Sequence, residues 1–261
     1  MVLTGFAFWS GYLSDLGNAP LEFHLHGVTA FLWMVLVAVQ SWTIHKGQRE
    51  LHRSVGFMSL GLFPFFLAGG LLIAVGMAKR FAEKASPFHT EYAARLAPLD
   101  FVAFIGMAYF FYMALRWRHK VHLHARYMLA TVVFLLNPVI GRVLTTIPPL
   151  QINGPEQLHL FADAVRVGNV AVLALLFALF RSFPKHGKPF VEAGALVALQ
   201  MFLFETLGRS SAWEQIYPGL ATVNAVALAM AGLAVGALVT FAGWQTGMRR
   251  KHAPPAVVGA P

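Results

Sequence analysis

Eleven histidines and no cysteine are spread through a chain of 261 residues. Four of the histidines stand where an imidazole could ligate a metal or haem iron. His26 and His52 open long apolar runs in "HLHGVTAFLWMVLVAVQSW" and "LHRSVGFMSL". His124 opens a third in "HLHARYMLATVVFLLNPVIGR", and His159 a fourth in "LHLFADAVRVGNV". Imidazole suits haem iron, zinc and copper alike. Bis-histidine haem ligation needs two rings from different helices at one depth. The absence of cysteine removes thiolate metal sites, disulfides and covalent c-type haem attachment.

The local spacing sharpens these candidates. His26, Ala30, Trp33, Val37 and Gln40 share one helical stripe. His24 lies two residues from His26, roughly 200° away around a helix, so one ring faces inward and the other faces the interface. The stripe ending at Gln40 assigns His26 to the inside. His52 shares a face with Gly56, Ser59 and Phe63. His124 shares one with Met128, Thr131, Leu135 and Arg142. His159, Asp163 and Arg166 lie on one face at helical spacings of four and seven residues. A charge at a bilayer centre costs roughly 2.5–3.5 kcal/mol on insertion scales, so Asp163 and Arg166 are expected to pair and to face the bundle. Asp163 is also placed to orient the His159 ring, as carboxylates do for ligating imidazoles. A structural ion pair accounts for the same spacing without a ligand. Arg142 is a candidate partner for an acid or a haem propionate.

The elements that must position these residues follow from composition. The chain is 57% hydrophobic and 12% charged, with a mean hydropathy of +0.62. A soluble domain carries about 25% charge. Seven apolar runs approach the roughly 20 residues that cross a bilayer: His24–Thr43, Val55–Met77, Leu99–Leu115, Tyr127–Ile147, Leu158–Phe180, Phe190–Leu207 and Ala221–Trp244. The expected fold is therefore all-α, a polytopic bundle of seven transmembrane helices. Residues 1–21 form a peripheral head, 22–247 the membrane domain and 248–261 a disordered tail. The net charge of +9 sits in short clusters between the runs, which argues for a membrane surface and against nucleic acid. Lys46, Arg49, Arg53, Arg116, Arg118, Lys120, Arg126, Arg181, Lys185, Lys188 and Arg249–Lys251 all fall on one side. Lys79, Arg80, Lys84, Arg95 and Arg209 fall on the other. The positive-inside rule puts the N-terminus outside and the C-terminus in the cytoplasm, the arrangement an odd number of spans requires. A bacterial inner membrane is the expected location.

The residues His26, Gln40, His52, Arg53, Gly56, His124, Arg126, Tyr127, Met128 and Arg142 form a pattern. It resembles a family of uncharacterised bacterial multi-pass membrane proteins over roughly the first 145 residues. More remotely, histidines on several helices of a bundle resemble two-haem b-type membrane cytochromes. That resemblance implies haem b ligated by His52 with His124 at the inner edge and by His26 with His159 at the outer edge. Arg142 would meet propionates, and a membrane redox partner or a second copy would complete the path. Three readings stay open on the sequence: a haem electron-transfer protein, a zinc, copper or small-solute handling protein, and a cofactor-free structural subunit. Metalloprotease, serine-hydrolase, P-loop and dinucleotide motifs are absent. So are a lysine in the last span for retinal and the histidine boxes of membrane desaturases.

Overall fold

The computed structural model describes residues 2–9 and 12–251, with side chains described through Met248. Among them only helices and turns occur. A short α1 (Val2–Ala7) precedes α2 (Leu21–His45), α3 (Arg49–Ala82), α4 (Pro87–Arg116), α5 (Val121–Leu144), α6 (Leu160–Ser182) and α7 (Lys188–Glu205). After α7 come a short α8 (Ser211–Ile216) and a long α9 (Ala225–Lys251). Seven of these helices are long and apolar enough to cross a membrane, and each coincides with one of the runs read from the sequence. Bulky apolar side chains such as Phe31, Phe57, Phe65, Ile105, Phe177, Phe202, Leu238 and Phe241 stand exposed around the bundle. A water-soluble protein rarely leaves so much apolar surface unpartnered. The chain is an integral, multi-pass membrane protein.

Short connections force neighbouring spans to run antiparallel. Gly47 takes a positive φ of 72° just after α2, and Gln48 N–H donates back to the Thr43 carbonyl at 2.9 Å. This closes a Schellman-type end and leaves three residues between α2 and α3. Ser86 caps α4 by accepting from His89 N–H at 3.4 Å, with Pro87 at the first helical position.

The third span starts twelve residues earlier than the apolar run suggests, at Pro87 rather than Leu99. Arg95, just before the expected start, and Asp100, just inside it, are turned toward protein rather than lipid. The head is peripheral in sequence but packed: α1 lies on α5, and Ala7 is buried. Helix α9 continues to Lys251, past the boundary expected at 248. Residues 252–261, expected to be disordered, lie outside the described residues.

The core is aromatic. Trp33, Phe63, Phe110 and Phe111 are fully enclosed. The Phe63 and Phe111 rings stack at 4.2 Å, and Trp33 meets Phe111 edge-on at 5.2 Å. Trp33 Nε1 donates to Thr131 Oγ1 at 3.0 Å. That bond satisfies two polar groups that would each be costly alone in hydrocarbon. Against this core, α9 approaches α3 so closely that Gly232 rests on the backbone of Ala68 and Gly236 on that of Pro64. Any side chain at either glycine would push the helices apart, the small-residue logic of membrane helix pairs.

Candidate functional site

The bundle has two ends, and polar residues gather at both. The end where α2 finishes and α3 begins carries His52 and His124. His52 Nδ1 donates to the Gln40 carbonyl at 3.2 Å. His124 Nδ1 donates to the Ala114 carbonyl at 2.9 Å. Both histidines stand in the first turn of their helix and reach back to the last turns of the preceding one, so each helical hairpin is stapled in the same way. A carbonyl on Nδ1 fixes the tautomer and leaves Nε2 as the free lone-pair nitrogen. The two rings lie within electrostatic reach of one another, and Arg118 lies within reach of His124. Helices α3 and α5 make no extensive contact; each packs on α4. The two rings therefore come from helices that are not packed extensively on each other. Beside them, the side-chain amide of Gln40 is enclosed, its residue only 9% exposed, and neither its oxygen nor its nitrogen has a partner. Gly56 lies against that amide, where an added Cβ would sit 3.8 Å from it.

Arg118 holds this end together by donating to the carbonyls of Leu115 at 3.1 Å and Trp244 at 2.7 Å. Its guanidinium carbon lies 4.2 Å from the Trp244 ring centre. Farther out, the His122 and His186 rings stack in parallel at 5.2 Å. Burial, and then the His122 ring beside it, lower the His186 pKa.

The opposite end is built differently. His26 is turned inward, as its stripe suggests. Its ring lies 6.2 Å from Phe66, and its Nδ1 is enclosed without a partner. His24 takes the interfacial position and shares a 2.7 Å hydrogen bond with Tyr12 Oη. Burial raises the Tyr12 pKa. His159 does not join His26. It is exposed, its Nδ1 donates to the Glu156 carbonyl at 3.1 Å, and α6 packs on α5 and α7 rather than on α2. The outer ligand pair expected from the sequence is thus not assembled. Parallel direction placed both rings at one end without making their helices neighbours.

The neighbour His26 does have is Arg142, which lies within electrostatic reach of both His26 and Asp100. Asp100 escaped the sequence reading. The signal was present, an acid inside the apolar run "APLDFVAF", but it fell at the expected start of a span and was assigned no role.

The Asp163–Arg166 pair forms, with Arg166 Nη1 donating to Asp163 at 2.6 Å. Its surroundings differ from expectation. Both side chains are nearly half-exposed, at 46% and 42%, and Asp163 turns to Arg166 rather than to His159. The neutralising group is Glu205 of α7, to which the sequence analysis assigned no role. Arg166 grips it through Nε at 2.7 Å and Nη2 at 3.1 Å. Arg95 of α4 adds a bond at 3.1 Å, and Arg209 lies 3.6 Å away. Glu205 therefore ties α4, α6 and α7 together. A cavity of about 280 Å³ lies beside it, lined by Arg166, Asn169, Met201, Phe204 and Glu205. A larger apolar groove of about 450 Å³ runs between α3 and α9 past Phe57, Pro64 and Trp244. No histidine lines either one.

Among the described residues no three His, Asp or Glu side chains converge as a ligand set for a metal ion. No protein-family model, curated protein or solved structure matches the chain. The functional reading rests on the sites themselves.

Proposed function

We propose that this membrane protein carries electrons, holding one b-type haem between His52 and His124. The observation that carries the reading is the shared tautomer lock. Both rings are fixed through Nδ1, which leaves Nε2 for a ligand, and they come from two helices that do not pack extensively on each other. The donor set fits haem better than a bare cation. Zinc or copper would have two imidazoles, no carboxylate and the repulsion of Arg118. A haem brings its own propionates, which Arg118 and the other basic residues of this end would balance. The haem supplies the one-electron chemistry when bound. The protein sets its potential through the two imidazoles, the carbonyls behind them and the enclosed amide of Gln40. The outer haem implied by the cytochrome resemblance is not part of this reading.

The basic clusters support a reading in which the His52–His124 end faces the cytoplasm, in a bacterial inner membrane. The donor and acceptor would be membrane redox proteins or a second copy of the chain. Kinship with the uncharacterised family rests on the same motif residues. A reporter fused after Pro261 should be cytoplasmic and one in the 83–86 turn external. Both on one side would contradict the orientation.

The decisive test is a reduced-minus-oxidised absorption spectrum of the purified protein. The expected result is a low-spin haem b signal, abolished by His52→Ala or His124→Ala and retained in His159→Ala. A protein without haem, expressed in haem-sufficient cells, would favour a cofactor-free structural role.

A further inference from the structure

The groove between α3 and α9 is framed by two contacts. Gly232 and Gly236 hold the helices together at Ala68 and Pro64. Toward the His52 end the pair continues antiparallel, and Phe57 meets Trp244 with ring centres 5.7 Å apart. Between these contacts α9 presents Ala237 and Thr240, while α3 presents Leu60 and Pro64. Side chains as short as Ala237 and Thr240 opposite a proline leave the space of about 450 Å³. The Thr240 hydroxyl donates to the Gly236 carbonyl at 2.8 Å, so it is satisfied within its own helix and the lining is mainly apolar. Phe57 and Phe241 also line the groove and stand exposed.

The mouth of the groove is basic. Arg49, Arg53, Phe57, Leu60 and Pro64 follow one another on α3 at spacings of four, four, three and four residues, a single helical stripe. Arg49 and Arg53 are exposed, and among the described residues neither side chain has a hydrogen bond or ion pair. Glu50, in the same turn, is bound to neither. On the other helix, Arg118 fixes Trp244 by donating to its carbonyl at 2.7 Å and lying over its ring. In sequence α9 ends with Arg249, Arg250 and Lys251. Arg53 and Pro64 are eleven residues apart, about 16 Å along a helix. The hydrocarbon of one leaflet is about 15 Å deep, half of a bilayer core of roughly 30 Å. With Arg53 among the headgroups, the stripe ends near the bilayer midplane.

These two parts select the occupant. A hydrocarbon chain from one leaflet matches the apolar length, and an anionic headgroup matches the unpaired guanidinium groups at the mouth. A third helix fits less well. The glycines that would let its backbone approach already face α3, and the exposed Phe57 and Phe241 rings would hold it away. We infer that the α3–α9 groove binds one anionic phospholipid, with an acyl chain along Leu60, Pro64, Ala237 and Thr240 and its phosphate on Arg49 and Arg53. The site goes beyond the haem proposal and does not depend on it.

The test is native mass spectrometry of the full chain in detergent, with phosphatidylglycerol or phosphatidylcholine of identical acyl chains added. The wild-type protein should retain one phosphatidylglycerol per chain, at least fivefold more tightly than phosphatidylcholine. Arg49→Gln combined with Arg53→Gln should abolish that preference. Ala237→Phe fills the groove from an exposed position and should weaken phosphatidylglycerol binding at least fivefold with every arginine in place. Arg181→Gln combined with Lys185→Gln removes two exposed charges elsewhere at the same end and should change nothing. Equal retention of the two lipids, an equal loss in the Arg181/Lys185 variant, or a dimer of the chain that Ala237→Phe dissociates would each overturn the assignment.

Discussion

Arg166 and Arg142 are both arginines inside apolar helices near the same end of the bundle, and their surroundings are opposite. Arg166 is saturated: three of its nitrogens donate to Asp163 and Glu205 at 2.6–3.1 Å. Arg142 faces its acid across space and bonds one carbonyl. The histidines divide in the same way. His52 and His124 each have one nitrogen pinned and one presented, whereas the Nδ1 of His26 has nothing. A polar group inside a membrane bundle is therefore not a functional sign by itself. Saturation marks architecture; incomplete saturation marks a place for something else.

The largest effect that separates the two arginines is on stability. Glu205→Ala leaves Arg95, Arg166 and Arg209 without their shared acid. It should lower stability by about 2 kcal/mol, a value reduced from that of a fully buried pair because the group is 35% exposed. Neutralising the other pair with Asp100→Asn and Arg142→Gln together should leave stability unchanged or slightly raised, since enclosed charges without direct contact contribute little and cost desolvation. Chemical denaturation in detergent measures both. Equal losses would erase the distinction.

The sequence carried the seven spans because length and hydropathy alone decide them. It also placed His26 inside, because a helical stripe from an imidazole to Gln40 has one sensible direction. It failed where burial inverts the meaning of charge. Arg95 fell outside the third span on paper and Asp100 was given no role, yet both face protein. The role of Glu205 was invisible because its partners come from three helices far apart in sequence. The pairing of His26 with His159 failed for a related reason: depth follows from sequence, but which helices are neighbours does not.

A smaller effect concerns the exposed stack of His122 and His186, a histidine pair held by neither backbone nor acid. The folded-state pKa of His186 lies below its ordinary value of about 6.5, through burial and the neighbouring His122 ring. A group with a lowered folded pKa contributes stability above its unfolded pKa and loses it as pH falls. The turn at Pro184–His186 should therefore loosen below about pH 6.5, seen as faster hydrogen exchange there. Exchange that is flat with pH at the turn would contradict this.

The central claim, that the two pinned histidines form the one haem site, is tested most directly by haem stoichiometry, measured as pyridine haemochrome per chain. The account predicts one haem per chain in the wild-type protein and in His26→Phe, and none in His52→Ala or His124→Ala. Two haems per chain, no haem in the wild-type protein, or a haem that survives loss of either His52 or His124 would contradict it.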